Sequence, residues 1–429
     1  VLTCRAGLYS INLGFPQKNM TIFSIIALLL TFAAILSFIN YRFFKLPTTI
    51  GLMTMSLLLS LILIILNKLG LKFEQQAQQI LHTIDFKNTL LHGMLSFLLF
   101  AGALHVNLND LAQQKRVIGL LTTVGLIIST FLVGILSWYS FTALGVTIPF
   151  IYCLLFGALI SPTDPIAVLG ILKKAGAPKS LETKIVGESL FNDGVAVVIF
   201  LIFLEMAGGG EALSPQNVVL LFASEALGGI LLGLISGYST YWMLKQVDNY
   251  QVEVLLTLAL ATGGYALAET LHVSAPITIV VAGLLIGNHG RLFAMSQKTR
   301  LHLDTFWELV DDILNAVLFV LIGLEVLVLT FTKVYFAAGL LAIPIVLFSR
   351  FISVNIPLLI LKPFREFSPN AVRILTWGGL RGGISVAMAL ALPTNEFRHL
   401  LLAATYAVVI FSIVVQGLTL NKLVHKKKS

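Results

Sequence analysis

The chain has 429 residues, of which 57% are hydrophobic and only 11% charged, with a mean hydropathy of +0.95. Soluble domains carry roughly 25% charged residues, so this composition excludes a soluble globular protein and places nearly the whole chain in a bilayer. Two cysteines, Cys4 and Cys153, exclude a disulfide framework. The net charge of +8 sits in the connections between apolar runs, which orients the chain and is not a nucleic-acid surface.

In chain order, VLTCRAGLYSINLGFPQKN (1–19) lacks the charged-then-apolar order and the cleavage site of a secretory signal. It reads as an N-terminal extension, native or not, that takes no part in function. Apolar runs long enough to cross the hydrocarbon core, about 20 residues each, then begin near Met20, Leu46, Thr89, Val117, Ile148, Ile185, Asn217, Val252, Ala275, Thr305, Val334, Val372 and His399. The shortest link, LHVSAP, divides the eighth run from the ninth. Thirteen runs put the two ends on opposite sides. Alternate connections, beginning with YRFFK and ending with the tail NKLVHKKKS, hold nineteen of the 28 lysines and arginines, and the other side holds seven. The basic excess marks the cytoplasmic side. The reading is therefore a multi-pass protein of the plasma (inner) membrane, N-terminus outside and C-terminus inside, with 424–429 a basic cytoplasmic tail able to touch anionic lipid.

Ionisable groups inside such spans are expensive and point to function. The fifth run is interrupted by SPTDP at 161–165, an aspartate between two prolines. Pro162 and Pro165 remove backbone donors and leave unwound chain with free carbonyls. Irregular backbone at that depth is tolerated where it is buried in protein or lines a cavity, and half-helix ends of this kind form ion sites in secondary transporters. Asp164 suits the positive end of the following half-helix, and Thr163 offers a hydroxyl or a carbonyl. The sixth run carries GESLFNDG (187–194), in which Glu188, Ser189, Asn192 and Asp193 share one helix face by their i,i+3 and i,i+4 spacings. Two carboxylates, a hydroxyl and an amide are hard oxygen ligands suited to a small cation such as Na⁺. The plainer alternative is a polar seam that glues helices.

The twelfth run holds a matching break, GGLRGG (378–383), with glycines permissive of irregular backbone and Arg381 suited to the negative end of a half-helix. Breaks in the fifth and twelfth runs make 1–6 and 8–13 two repeats of inverted topology, joined by the seventh. Arg350 in LFSRFISVN is the remaining intramembrane cation. Glu188 is its best available partner, the alternative being snorkelling to an interface. Glu308, Asp311, Asp312 and Asn315 form either an acidic funnel for cations or a helix start that favours acids through the dipole. Glu325 reads as interfacial, and Glu205, Glu225, Glu253 and Glu269 as solvated or pairing residues. His272 and His289 are loop histidines or groups that tune a pH response. No HExxH and no GxSxG occurs, which removes those two enzyme classes.

SPTDPIAV, ESLFNDGVAVV, FVLIGLE and GGLRGGISVAMAL, in that order, resemble the monovalent cation/proton antiporter family, in its electroneutral branch of NhaP-type antiporters and sodium/proton exchangers. The likeness covers residues 20–423. It implies an all-α polytopic membrane protein of about 13 transmembrane helices, two inverted-topology repeats and crossed discontinuous helices, an NhaA-like antiporter fold. It implies dimerisation spans at about 20–108 and 252–330, core spans at about 117–206 and 334–423 and a linker helix at about 217–245. It also implies a homodimer with elevator-type alternating access, no cofactor, and no enzyme activity. By motif match Asp193 resembles the ion-binding, proton-carrying aspartate, with Thr163, Asp164 and Ser189 as further cation ligands. Asn192, Glu188, Arg350 and Arg381 support the site. The electrogenic branch has two adjacent aspartates where this chain has Asn192-Asp193, which favours one Na⁺ or Li⁺ exchanged for one H⁺. The alternatives are K⁺/H⁺ exchange on the same fold, and a cation channel.

Overall fold

A computed structural model describes residues 22–68, 93–175, 177–208, 215–328, 332–364, 367 and 370–425. The 1–19 extension and most of the tail fall outside them. All regular elements among the described residues are helical. They are α1 (Ile22–Ile39), α2 (Thr48–Lys68), α3 (Leu95–Leu104), α4 (Leu108–Leu120), α5 (Leu126–Ala143), α6 (Phe150–Ile160), α7 (Ile166–Ala175), α8 (Lys179–Ala207) and α9 (Pro215–Lys245). There follow α10 (Tyr250–Thr270), α11 (Ala275–Leu285), α12 (Gln297–Glu325), α13 (Lys333–Leu361), α14 (Ala371–Trp377), α15 (Gly383–Leu390), α16 (Arg398–Phe411) and α17 (Gly417–His425).

Nine helical stretches among the described residues are long and apolar enough to cross a membrane. Among the π-type turns inside them, those at Leu121–Gly125 between α4 and α5 and at Ser412–Gln416 between α16 and α17 join two helices, so each pair runs on as one rod. The helices that fail this test do so for identifiable reasons. The α6–α7 and α14–α15 segments are interrupted, α3 is ten residues long, and α12 carries Glu308, Asp311 and Asp312 in its middle. The LHVSAP link works because Ser274 ends it as an N-cap, its Oγ accepting from the Ile277 amide at 3.4 Å, with Pro276 in the first turn of α11. Proline there lacks only an amide that the helix start leaves unpaired anyway.

The helices pack as two groups. In one, α12 lies against α1, α2, α3 and α10, and α11 lies between α3, α9 and α10. In the other, α5 packs on α6 and α13, α8 on α4 and α6, and α16 on α13 and α15. The apolar outer faces are unusually large for any water-facing surface: Leu227, Leu231, Ile235, Tyr238 and Trp242 of α9 and Phe23, Ile26 and Phe38 of α1 are all exposed. Such faces suit hydrocarbon or another apolar protein surface. The two interrupted segments cross within the second group, and α8 passes beside them. That crossing positions the site.

Candidate functional site: two crossed breaks beside a carboxylate helix

The α6 helix stops at Ile160 and α7 starts at Ile166, and α14 stops at Trp377 with α15 starting at Gly383. The two unwound strands meet. The Asp164 amide donates to the Leu380 carbonyl at 2.7 Å, so one break supplies a hydrogen-bond acceptor that the other needs. Arg381 is 1% exposed and reaches across: its Nη1 donates to the Pro162 carbonyl at 2.8 Å and also to that of Ser161. These are carbonyls just past the end of α6, where a helix carries its negative pole. The Arg381 amide donates to Ser412 Oγ at 2.9 Å, which holds the second break against the π turn before α17.

Opposite charge sits at the opposite pole. A methyl group added at Gly382 would run into the Asp164 carboxylate, so that side chain lies directly at the start of α15 and close to its own α7. Asp164 therefore serves two positive helix ends and Arg381 one negative end, an arrangement of charge that compensates the broken ladders. The glycines of GGLRGG act differently from the sequence expectation. None of them has positive φ; among described glycines only Gly145 does. They are needed for space: Gly382 against Asp164 and Gly379 against the Arg350 guanidinium.

Across from the crossing, α8 presents its polar residues. Glu188, 1% exposed, receives a two-pronged contact from Arg350, with Nη1 to Oε1 at 2.5 Å and Nη2 to Oε2 at 3.0 Å. Arg350 Nη2 also donates to the Leu375 carbonyl at 3.2 Å, which ties α13 and α8 to the end of α14. Arg350 is thus buried and paired and does not snorkel. Ser189 Oγ donates to the Thr163 carbonyl, linking α8 to the first break. Asp193 is 8% exposed and lies within electrostatic reach of Asp164. Asn192 is buried, and its Oδ1 lacks a hydrogen-bond partner among the described residues.

A cavity of about 560 Å³ runs to this point. Its inner wall includes Thr163, Asp164, Ser189 and Asp193, while Glu188, Asn192, Arg350 and Arg381 stay behind it. The eight residues singled out by sequence thus divide into four that reach the cavity and four that brace them. Asn192 shares the helix with Asp193 but turns away from the cavity. The mouth is lined by Asn107, Asp110, Lys179, Glu182 and Glu308, with Lys179 Nζ 2.7 Å from Asp110 Oδ2. This is the side of the basic connections QQKR and KKAGAPK. Sequence reasoning missed His105, Asp110, Glu182 and Ser385, all of which line the cavity. Only Ser385 had a legible signal, two residues beyond the GGLRGG break. The others become neighbours of the site through helix packing.

A family model described as sodium/hydrogen exchanger, transmembrane, matches residues 26–426 of the chain. The protein belongs to the sodium/hydrogen exchanger family. The exchanger is 53% identical over 407 residues to the Na⁺/H⁺ antiporter NhaP of Pseudomonas aeruginosa, covering 94% of this chain and 96% of that protein. It is 34% identical over 423 residues to the Na⁺/H⁺ antiporter NhaH of Halobacillus aidingensis, covering 96% and 98%. Among solved structures, the sodium proton antiporter MjNhaP1 of Methanocaldococcus jannaschii at pH 8 superposes with a TM-score of 0.76 over 95% of this chain and 99% of that one, at 18% identity. At that identity the likeness shows the fold: an all-helical, multi-pass antiporter architecture with crossed breaks.

Two further sequence expectations are narrowed within this exchanger. Of the two readings of Glu253, solvated or pairing, the structure takes the second: it is 0% exposed, accepting from Thr299 Oγ1 at 3.1 Å at the α10–α12 interface. Asp312 does not line the cavity with Glu308, Asp311 and Asn315.

Proposed function

We propose that the protein is a secondary active antiporter that exchanges Na⁺ (or Li⁺) for H⁺, one for one, at Asp193. The observation that carries this reading is the convergence of four oxygen-bearing residues on the wall of one cavity. Carboxylate, carbonyl and hydroxyl oxygens are the ligands that hard monovalent cations prefer. Asp193 and Asp164 supply charge, Ser189 and Thr163 supply neutral oxygens, and the crossed breaks fix their separation.

Exchange follows from competition. Two carboxylates held close in a buried site resist being ionised together. Either a cation neutralises them or a proton does, and the loaded forms have the same charge. Asn192, in place of a second aspartate, leaves Asp193 as the single carrier on α8. The branch resemblance and this charge count together support an electroneutral cycle.

Alternating access is supported by a second cavity, about 540 Å³, lined by Glu225, Tyr265, Glu269 and His272. It does not include the four ligands. Asp193 faces the first cavity and Val197 the second; Ser385 faces the first and Met388 the second. The seal is therefore about one helical turn, roughly 5 Å of chain. A shift of α8 and the breaks by a distance of that order transfers the site from one cavity to the other. Elevator-type movement of the α4–α8 and α13–α17 group against the rest fits that geometry. In the cell we place the protein in the plasma (inner) membrane as a homodimer, N-terminus outside and C-terminus inside, with the basic connections on the cytoplasmic side.

Everted vesicles with an interior-acid pH dye test the reading. Na⁺ added to the bath dequenches the dye, the signal persists when the membrane potential is clamped at zero, and Asp193→Asn abolishes it while the purified variant keeps its thermal stability. Sodium-dependent proton movement in Asp193→Asn removes Asp193 as the carrier. A preference for K⁺ in the same series makes the substrate potassium.

A further inference from the structure

Between α3 and α4 the chain crosses from one helix group to the other through three residues, His105, Val106 and Asn107. All three line the first cavity. The first amides of a helix have no partner within it. In α4 those of Asn109 and Asp110 donate to the Asn107 side chain, at 2.8 and 3.3 Å. That of Leu108 finds its acceptor outside the group. It donates at 2.8 Å to Asn288 Oδ1, in the π-type turn Ile286–Gly290 that follows α11. Asn288 Nδ2 donates to the Val106 carbonyl at 2.9 Å and to the Leu284 carbonyl at 2.8 Å. The acceptor meets an N–H and the donor meets carbonyls, so the amide has one orientation, and a flipped one loses all three bonds. One side chain from α11 thus clamps the crossing and caps α4.

The two ends of this clamp belong to different bodies. Asn288 is fixed to α3. A methyl at Gly283 would press on the Phe100 carbonyl and one at Gly287 on that of Leu104, so α11 and α3 touch closely just before the turn that holds Asn288. Leu108 goes with the other group, because α4 packs on α8 and runs on into α5. A hydrogen bond is lost within about 1 Å of stretch. The shift that carries the exchange site from one cavity to the other is roughly 5 Å. The bond between Asn288 and Leu108 therefore belongs to the state in which Asp193 lines the first cavity.

We propose that Asn288 is a positioning residue of the exchange cycle. By capping α4 from α11 it latches the transport group in the state in which Asp193 lines the first cavity, and it lets go when the site moves to the second. The proposal rests on the exchange reading above and extends it. Asn288 acts through α4 and touches neither the cation nor Asp193. Its effect is on how the carrier divides its time between the two states, and so on the apparent Na⁺ affinity of each side.

Exchange measured in vesicles of both orientations tests this. Asn288→Ala raises the half-saturating Na⁺ on the side of the first cavity, divided by that on the opposite side, by about three- to tenfold, the worth of one or two hydrogen bonds read as a population. Asn288→Asp keeps the acceptor and loses the donor, and moves the ratio the same way by less. Covalent closure does the opposite. In the full chain with Cys4→Ala and Cys153→Ala, Leu108→Cys and Asn288→Cys joined by a short thiol-bridging reagent stop exchange, saturable Na⁺ binding persists, and reduction restores exchange. A native ratio in Asn288→Ala, which a merely structural asparagine gives, overturns the proposal. So does exchange by the bridged protein at the rate of its reduced form, which makes the contact a hinge kept through the cycle, and so do thiols that fail to join in the folded protein. Where Asn288→Ala does not fold, Asn288→Asp and the bridge decide by the same readouts. If native vesicles move no protons in response to Na⁺, the exchange reading fails. Hydrogen–deuterium exchange over residues 105–111, faster in Asn288→Ala only where the clamp exists, still decides whether Asn288 holds the crossing.

Discussion

Glu188→Ala removes the carboxylate that Arg350 grips through both Nη atoms. What remains for that guanidinium is one hydrogen bond, to the Leu375 carbonyl at 3.2 Å, while its Nε already lacks a partner among the described residues. Arg350 and Arg381 also feel each other's charge, and Glu188 is the counter-charge acting on both. Removing it leaves two buried guanidiniums in mutual repulsion beside the second break. Breaking a buried ion pair by deleting one partner costs about 3–5 kcal/mol, because the survivor keeps its desolvation penalty without its partner. The upper part of that range applies here, since the lost contact is bidentate and a second cation is nearby. Replacing both partners by apolar residues of similar size, Glu188→Leu with Arg350→Met, recovers most of the loss. The assay is thermal unfolding of purified protein in detergent, followed by size-exclusion fluorescence, for the two single variants and the double. The singles unfold well below the native protein, and the double unfolds between them and the native. A Glu188→Ala protein with native thermal stability and no exchange refutes the reasoning and makes Glu188 part of the transport chemistry.

Asp164→Asn keeps the backbone bond to Leu380 but halves the site's charge, so the Na⁺-dependent rise in thermal stability shrinks strongly while the ion-free protein stays folded. Gly382→Ala places a methyl on the Asp164 carboxylate, which forces that ligand to move. Half-saturating Na⁺ then rises about tenfold or more, the effect of misplacing a charged ligand, and near-native affinity shows that Asp164 is not a ligand. For pH, the sign follows from competition at one carboxylate: protons and Na⁺ exclude each other, so lower pH weakens Na⁺. Half-saturating Na⁺ rises by about tenfold per pH unit below the site's apparent pKa, the slope of one-proton competition, and levels off above it. A Na⁺ affinity indifferent to pH over 6–9 in proteoliposomes refutes the shared site.

The chemistry of the site was legible in the letters because membrane burial makes polar residues conspicuous. Two prolines around Asp164, four glycines around Arg381 and the tight cluster from Glu188 to Asp193 each violate the apolar pattern of the span that holds them. The alternation of basic connections predicts an orientation for the same reason: charge that cannot cross must choose a side. What the letters left open was partnership at distance. Arg381 is 220 residues from Ser161, whose carbonyl it binds, and Arg350 is 162 from Glu188. No periodicity within one helix reports such contacts.

Local sequence also misjudged what depends on neighbours from other helices. Glycines 379 and 382 invite a reading of backbone freedom, yet their backbone is ordinary and the requirement comes from side chains arriving from α13 and the first break. Glu253 reads equally as solvated or pairing, and only the packing of α12 over it settles on pairing. His105 caps the end of α3, Asp110 and Glu182 lie in the first turns of α4 and α8, and the three come to one cavity only through helix packing. The sequence by itself determined that this chain lives in a membrane, where its helices break, and which oxygens it keeps there, because each of those follows from the free energy of placing one group in hydrocarbon. Only the tertiary structure decided which helix pole each charge serves and which residues face the cavity, because those follow from the relative placement of helices that are far apart in the chain.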